Sequence, residues 1–289
     1  MNHSKLIKQL TPLHGAGEAR AIVRIVMEEC FGLSQTDLLL GKDTTLSSSD
    51  REEFEKIASR LLAGEPVQHI LGFADFCGHR FRVTPDVLIP RPETERLVEL
   101  ALPLVTQHPN ARILDLCTGS GCIAISLALA IPETFNALIT AVDISAAALE
   151  IARENADALN APNITFIQQD ILDSSCLESI SCTASPSYAL LTANPPYVRA
   201  SEATSMSSTV LDHEPSLALF VTDNDPLVFY SAIARIGHAE LVAGGHVLAE
   251  LNTGLAEATR DLFFDADYDD VRILDDQFSR PRFLYARIR

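Results

Sequence analysis

From Pro92 onward, short runs rich in Val, Ile, Leu and Ala alternate with segments of helical periodicity, and this alternation constrains the fold more than any other feature. Strand-like runs fall at 111–117 (ARILDLC), 137–144 (ALITAVDI), 163–170 (NITFIQQD), 188–194 (YALLTAN), 246–251 (HVLAEL), 271–276 (VRILDD) and 282–288 (RFLYARI). Helical patterns separate them, clearest at 122–131, 145–160 and 227–242. Strands apolar at nearly every position are covered on both faces, and helices between them supply the crossovers, so the expected fold is α/β with a mainly parallel, doubly wound sheet. The helix that opens this region, PETERLVELALPLV, has Pro and Glu in its first turn and buries Leu97, Leu100, Ala101 and Leu104.

The preceding residues read differently. At 289 residues and 47% hydrophobic, the chain has room for one large domain and a small one. Residues 18–31 place Ile22, Val23, Val26, Met27 and Cys30 on one helical stripe. A second helix is expected from Ser49, with Glu52 at capping-box spacing and Gly64 as its stop. Phe76, Phe81 and Val83 alternate around Gly78 as in a β-hairpin. The expected divisions are a helical domain at 1–73, a hairpin connector at 74–91 and a large α/β domain at 92–289. The Ser- and Thr-rich stretches 174–187 and 200–212 are expected to be loops near the open edge of a site.

Composition narrows the function. With 22 basic and 39 acidic residues, the net charge of −17 argues against a surface built mainly to grip a phosphate backbone, so no stable nucleic-acid partner is expected. No run of 18 apolar residues occurs and the first residues lack the apolar core of a signal peptide, which predicts a cytoplasmic protein without a membrane partner. Cys30, Cys77, Cys117, Cys122, Cys176 and Cys182 form no CxxC pair and no metal-spaced cluster with His, so they read as reduced thiols and no metal is expected.

Ligands of an open α/β sheet lie beyond the carboxyl ends of its strands. The first long strand runs through Asp115 and Leu116 into Cys117, Thr118, Gly119, Ser120 and Gly121, where glycines let a ligand approach the backbone. The second ends in Asp143, whose carboxylate can accept both hydrogens of a ribose diol. The third ends in Asp170, suited to accept from an adenine amino group. A tight turn at Gly119 and Gly121, with Asp143 capping the next helix, is the competing explanation. Three strand ends each carrying a suitable group favour the ligand. The loop lacks the third glycine of GxGxxG, so a nucleoside without phosphates fits better than a dinucleotide, and S-adenosylmethionine is such a ligand.

The fourth strand ends in Asn194-Pro195-Pro196-Tyr197. Two prolines remove two backbone donors and stiffen the turn, leaving the carbonyls of Asn194 and Pro195 free to face a ligand. A primary amide is a poor nucleophile because its nitrogen lone pair is delocalised. If the Asn194 side-chain oxygen and the Pro195 carbonyl accept its two N–H bonds, the nitrogen is fixed for attack on a methyl group. Tyr197 is expected to lie on the planar amide and help shield a sulfonium. An ordinary Pro-Pro loop is the alternative on these residues alone.

These motifs together resemble the protein-(glutamine-N5) methyltransferases that act on class I peptide chain release factors. The likeness spans nearly the whole chain and rests on GEPVQHILG (64–72), LIPRPETE (88–95), DLCTGSG (115–121), NPPY (194–197), EPSLALF (214–220) and Gly244-Gly245. It implies a class I S-adenosylmethionine-dependent methyltransferase with a seven-stranded sheet whose last strand is antiparallel, and a helical N-terminal domain that helps hold the release factor. It implies methyl transfer to the side-chain amide nitrogen of the glutamine in a Gly-Gly-Gln motif, with S-adenosylhomocysteine as product. Cofactor contacts would come from Cys117 to Gly121, Asp143, Asp170, Ile171 and Asn194, and the substrate glutamine would lie on Asn194, Pro195, Pro196 and Tyr197. The sister enzymes that modify a ribosomal-protein glutamine usually read PRSP where this chain has Pro90-Arg91-Pro92-Glu93. An adenine-N6 nucleic-acid methyltransferase shares NPPY but is disfavoured by the charge, and a vestigial binding module is disfavoured by the intact NPPY.

The chain departs from the family pattern at Cys117, usually glycine, at Ala189, usually acidic, and at Glu250-Leu251-Asn252, usually Glu-Ile-Gly. Arg91, Glu93 and Glu95 are candidates to close over the cofactor, with helix-start electrostatics as the alternative. No function is assigned to His69, His79 or His213.

Overall fold

A computed structural model describes residues 2–106, 110–181 and 187–289; Cys182 and part of the stretch expected as a loop at 174–187 lie outside the described residues. The chain divides into two compact units, Met1–Phe73 with Met206–His213, and Ala74–Ser205 with Glu214–Arg289. Among the described residues, no helix is long and apolar enough to cross a membrane.

The first unit is helical. Its opening helix, His3–Phe31, begins well before the expected residue 18 and is kinked at Gly15, where φ is 77°. Pro12 and Gly15 mask the pattern in the sequence, yet Leu6 and Leu10 ahead of them are fully buried beside Val23, Val26 and Met27. Asn2 caps the start by accepting from the Lys5 N–H at 2.9 Å. The helix Ser48–Leu62 is capped by Ser47, which accepts from Asp50 N at 3.1 Å, and not by Ser49. Ser49 already lies inside the helix, its hydroxyl turned to that of Ser47 at 2.8 Å. Phe54, Ile57, Ala58 and Leu61 form the buried face of this helix. The stretch expected as a loop at 200–212 is a 3₁₀ segment, Ala200–Ser205, followed by a helix, Ser208–His213, and the latter belongs to the helical unit.

A hairpin of β1 (Phe73–Phe76) and β2 (His79–Arg82) opens the second unit, which takes in all of it but Phe73. Cys77 and Gly78 at its tip both have positive φ, 48° and 74°, as a two-residue turn of the right twist requires. Phe76 and Phe81 point into the core and meet edge to face at 6.0 Å.

The central sheet contains β3 (Arg112–Leu116), β4 (Leu138–Asp143), β5 (Ile164–Gln168), β6 (Tyr188–Ala193), β9 (Leu241–Glu250), β10 (Asp269–Asp275) and β11 (Pro281–Arg287). Two short strands, β7 (Val198–Arg199) and β8 (Phe220–Val221), pair with each other outside it. Strand order is β10-β11-β9-β6-β3-β4-β5, with β11 antiparallel to both neighbours and the pairs from β9 to β5 parallel. Alternate side chains feed two cores: Leu114, Leu116, Leu191 and Val247 face the helices Val228–Glu240 and Ala256–Asp265, whereas Ile113 and Leu248 face Glu95–Val105 and Cys122–Ala130. Helices thus cover both faces, and the near-continuous apolar runs read as strands are explained.

Candidate active site

Parallel pairing aligns the carboxyl ends of the inner strands. Leu116 of β3 is level with Val142 of β4 and Ala193 of β6, while Asp143 is level with Gln168 of β5. The residues that follow these ends, at 117–120, 144–145, 169–172 and 194, open on one cavity of about 390 Å³. Cys117, Thr118, Gly119, Ser120, Asp143, Asp170, Ile171, Asn194 and Pro196 all line it. Gly121, Pro195 and Tyr197 are not among its lining residues.

Gly121 instead shapes the turn. It is the αL N-cap of the helix Cys122–Ala130, at φ 80°, and an added Cβ would lie 2.9 Å from Ile125 Cδ1 and 3.1 Å from the Ala152 Cβ. Gly121→Ala combines a left-handed backbone with overpacking, so it is expected to lower stability by about 1–3 kcal/mol in urea unfolding. A change below about 0.5 kcal/mol would show that the turn relaxes freely. Gly119, at φ 55°, has nothing within 4 Å of a built Cβ and borders the cavity with bare backbone.

Asp143 holds this loop. Its Oδ2 accepts from Gly119 N at 2.8 Å and its Oδ1 from Ser145 N at 2.9 Å, while Ser145 itself caps the following helix. Each oxygen keeps a lone pair for a ligand hydroxyl. Burial raises the carboxyl above its ordinary value, and the backbone N–H groups work against that shift. Asp170 accepts from Leu172 N at 2.8 Å and lines the cavity beside Ile171.

Beneath the loop lies Asp115, fully buried and bonded by Thr118 Oγ1 at 2.6 Å and Thr192 Oγ1 at 2.7 Å. Burial pushes its carboxyl up to about 6, against the two hydroxyls. A carboxyl raised on folding binds its proton more tightly in the folded chain, so its stabilising contribution is complete below the unfolded value and lost as pH rises through about 6. The stability of the wild type relative to Asp115→Asn should therefore fall by roughly 2 kcal/mol between about pH 4 and pH 7.5. A difference independent of pH, measured by urea unfolding, would remove Asp115 as the titrating group.

The turn after β6 is braced from β9. Glu250 ends that strand, 1% exposed, and its two oxygens accept from different partners: Oε2 from Thr94 Oγ1 at 2.7 Å and Oε1 from the Tyr197 hydroxyl at 3.0 Å. Arg282 approaches Oε1 at 3.9 Å. Burial raises the Glu250 carboxyl, with the Thr94 and Tyr197 hydroxyls acting against it, and burial together with the Glu250 charge raises the Tyr197 phenol. Thr94 also accepts from the Asn194 side-chain nitrogen at 3.4 Å. Asn252 donates to the Tyr197 carbonyl at 3.1 Å and to Glu202 at 2.9 Å, holding the exit of the turn. Ala189, the other departure in this region, sits 7% exposed in the apolar core below.

Arg91 lines the cavity and is paired with Glu214 at 2.6 Å, whose other oxygen accepts from Ile89 N at 3.2 Å. Glu95 accepts from Cys77 N at 2.7 Å and so ties the helix start to the hairpin tip; neither it nor Glu93 lines the cavity. Thr94, Asn155, Glu214 and Glu250 were not singled out from the sequence as site residues. Asn155 takes Arg82 N on its oxygen at 2.7 Å and donates to Ser120 O at 2.9 Å, locking the glycine loop to β2. A carboxylate ending a strand, as at Asp143, was the signal available for Glu250. Cys117, partly buried at the cavity wall with φ 58°, has its thiol pushed well up by desolvation and by the Asp143 charge. No group of His, Cys, Asp and Glu that could hold a metal ion occurs among the described residues.

Residues 107–184 match a family model described as a methyltransferase domain, and residues 7–72 match one described as the PrmC N-terminal domain. A solved methyltransferase from Pyrococcus furiosus aligns with a TM-score of 0.50 at 16% identity, covering 79% of this chain and 96% of that one. The sheet order, the strand-end cavity and these matches define a class I methyltransferase. Curated relatives narrow the class: the release factor glutamine methyltransferase of Bacteroides thetaiotaomicron is 41% identical over 280 residues, 96% of each chain. That of Flavobacterium psychrophilum is 35% identical over 289 residues, 99% of this chain and 98% of the relative. The chain belongs to the release factor glutamine methyltransferase family.

Proposed function

We propose that the protein transfers a methyl group from S-adenosylmethionine to the side-chain amide nitrogen of the glutamine in the Gly-Gly-Gln motif of class I peptide chain release factors. The observation that carries this reading is Asn194. It borders the same cavity as Gly119 and Asp143, and its side-chain nitrogen is engaged by Thr94, which leaves its oxygen to accept from a ligand N–H. An amide substrate offers two such hydrogens.

The residues present suit the cofactor. The uncovered backbone at Gly119 admits a close approach, Asp143 keeps lone pairs for a ribose diol, and Asp170, which borders the cavity beside Ile171, can accept from an adenine amino group. When bound, the cofactor supplies an electrophilic methyl group on a cationic sulfur. The chain's own contribution is positioning and polarisation. The Asn194 side-chain oxygen and the Pro195 carbonyl accept the two hydrogens of the glutamine amide, drawing charge toward its nitrogen and fixing its direction. Pro196 stiffens the turn, and Tyr197 is held at both its hydroxyl and its carbonyl. No general base is needed before attack, because an alkylated amide nitrogen becomes acidic and releases its proton afterwards.

The test is a competition in one tube. With methyl-labelled cofactor, a purified class I release factor, ribosomal proteins and DNA, label is expected in the release factor. Label in a ribosomal protein would favour the sister activity, and label only in DNA would overturn the proposal.

A further inference from the structure

The hydrogen-bond partners around Asn194 leave little freedom in how its amide is turned. A threonine hydroxyl has a single proton, and that of Thr94 is directed to Glu250 Oε2 at 2.7 Å. The lone pairs of Thr94 Oγ1 therefore face Asn194 and accept only from a donor, which the side-chain nitrogen provides at 3.4 Å. The opposite orientation would set the Asn194 oxygen against the lone pairs of Thr94. Glu250 is 1% exposed and Thr94 2%, which strengthens the bond between them, and Thr94 borders the cavity. The second oxygen of Glu250 holds the Tyr197 hydroxyl at 3.0 Å, so one buried carboxylate governs both ends of the reacting turn.

We propose that Thr94 and Glu250 are positioning residues for the methyl-transfer reaction: Glu250 sets the direction of the Thr94 proton, and Thr94 in turn fixes the Asn194 amide with its oxygen toward the substrate. This rests on the function proposed above, since orientation matters only if that oxygen accepts from a substrate amide. The two residues come from distant parts of the chain, Thr94 at the start of the helix that follows the connector and Glu250 at the end of β9. Glu250 lies beside the reacting turn because β9 pairs with β6 in a register that sets Ala249 beside Ala193, one residue before Glu250 and Asn194 respectively. Replacing Glu250 by glutamine has a defined consequence. A glutamine amide has one acceptor oxygen for two hydroxyl donors. If its oxygen keeps Tyr197, its nitrogen donates to Thr94, the Thr94 proton turns to Asn194, and the Asn194 amide flips to present N–H groups to the substrate.

The experiment is single-turnover methylation of a class I release factor at saturating cofactor, with cofactor affinity measured separately. Thr94→Val removes the hydroxyl at nearly constant shape, and Thr94→Ser keeps it. Thr94→Val and Glu250→Gln are expected to lower the rate about 10- to 100-fold, with cofactor affinity within about twofold and release-factor KM little changed. Thr94→Ser should recover the rate to within about threefold of wild type. In the Asn194→Ala background, Thr94→Val should add almost nothing, because a residue that acts through Asn194 has no effect once Asn194 is gone. A Thr94→Val rate within twofold of wild type, or the same fold loss in both backgrounds, would overturn the proposal. If Asn194→Ala itself leaves the rate unchanged, the underlying reading of the turn fails instead, and the two failures are told apart in one set of measurements.

Discussion

Asn194→Ala is expected to lower kcat for release-factor methylation roughly 10²- to 10³-fold. The residue directly follows β6 at the rim of the cavity, its side-chain nitrogen bonded to Thr94, so the substitution removes the side-chain oxygen and leaves the turn with backbone carbonyl acceptors alone. The substrate nitrogen is then no longer held in line, and the hydrogen bond that strengthens as positive charge develops on it is lost. Release-factor binding should change far less, because most of that contact must come from elsewhere on two macromolecules. Single-turnover rates at saturating cofactor separate this from any loss of cofactor contact. A rate within about threefold of wild type, under 1 kcal/mol of barrier, would reduce Asn194 to a turn residue.

Asp143→Ala is the second large effect. As the proposed acceptor of the ribose diol it offers a charge-assisted contact of about 1.5–3 kcal/mol, so cofactor affinity should weaken roughly 10- to 150-fold by calorimetric titration. Its bonds to Gly119 N and Ser145 N add a second route to the same loss, since the glycine loop and the start of the next helix are released together. Asp143→Asn distinguishes the routes: one amide oxygen can keep a single backbone donor but cannot take both ribose hydroxyls. An alanine variant that is folded and binds the cofactor as tightly as wild type would leave Asp143 as a cap for the loop and helix alone.

The parts of the site on the parallel strands were legible because strand-end chemistry is local: the residues after β3, β4, β5 and β6 reach one cavity whatever the crossovers between them look like. The bracing of that site was not legible, because it is non-local. Glu250 is set beside the turn of Tyr197 by the β6–β9 pairing and is met there by Thr94 from a helix start far back in the chain, and Asn155 reaches Ser120 and Arg82 from a helix whose pattern shows only a partly polar face. Tyr197 was expected to lie on the substrate amide; in the structure its hydroxyl is engaged by Glu250 and the residue lies outside the cavity lining. Asn252 shows what its departure from the family pattern does: a side chain where glycine is usual bonds the Tyr197 carbonyl and Glu202.

Among the fold elements, the seven strands were recovered with shifted ends. The largest shift is in β9, which begins at Leu241 and takes over the end of the segment read as helix to residue 242. Leu241 and Val242 suit either state, and the parallel ladder with Tyr188 decides for strand. In the helical unit, Pro12 and Gly15 disguised the first half of the opening helix, whose Leu6 and Leu10 are held by tertiary packing. Capping-box spacing with Glu52 points to Ser49, whereas the hydroxyl that accepts from the first turn is that of Ser47, two residues earlier.

The reaction proposed for this chain is methyl transfer to the side-chain amide nitrogen of the glutamine in a Gly-Gly-Gln motif. Peptide mass mapping of a class I release factor, treated with the wild-type protein and S-adenosylmethionine and compared with Asn194→Ala treatment, tests it most directly. The expected result is the mass of one methyl group added to the peptide carrying Gly-Gly-Gln, with fragmentation assigning it to the glutamine side chain, and little or none in the variant over the same time. An unmodified glutamine with the methyl group on another residue, or equal modification by both proteins, would contradict it.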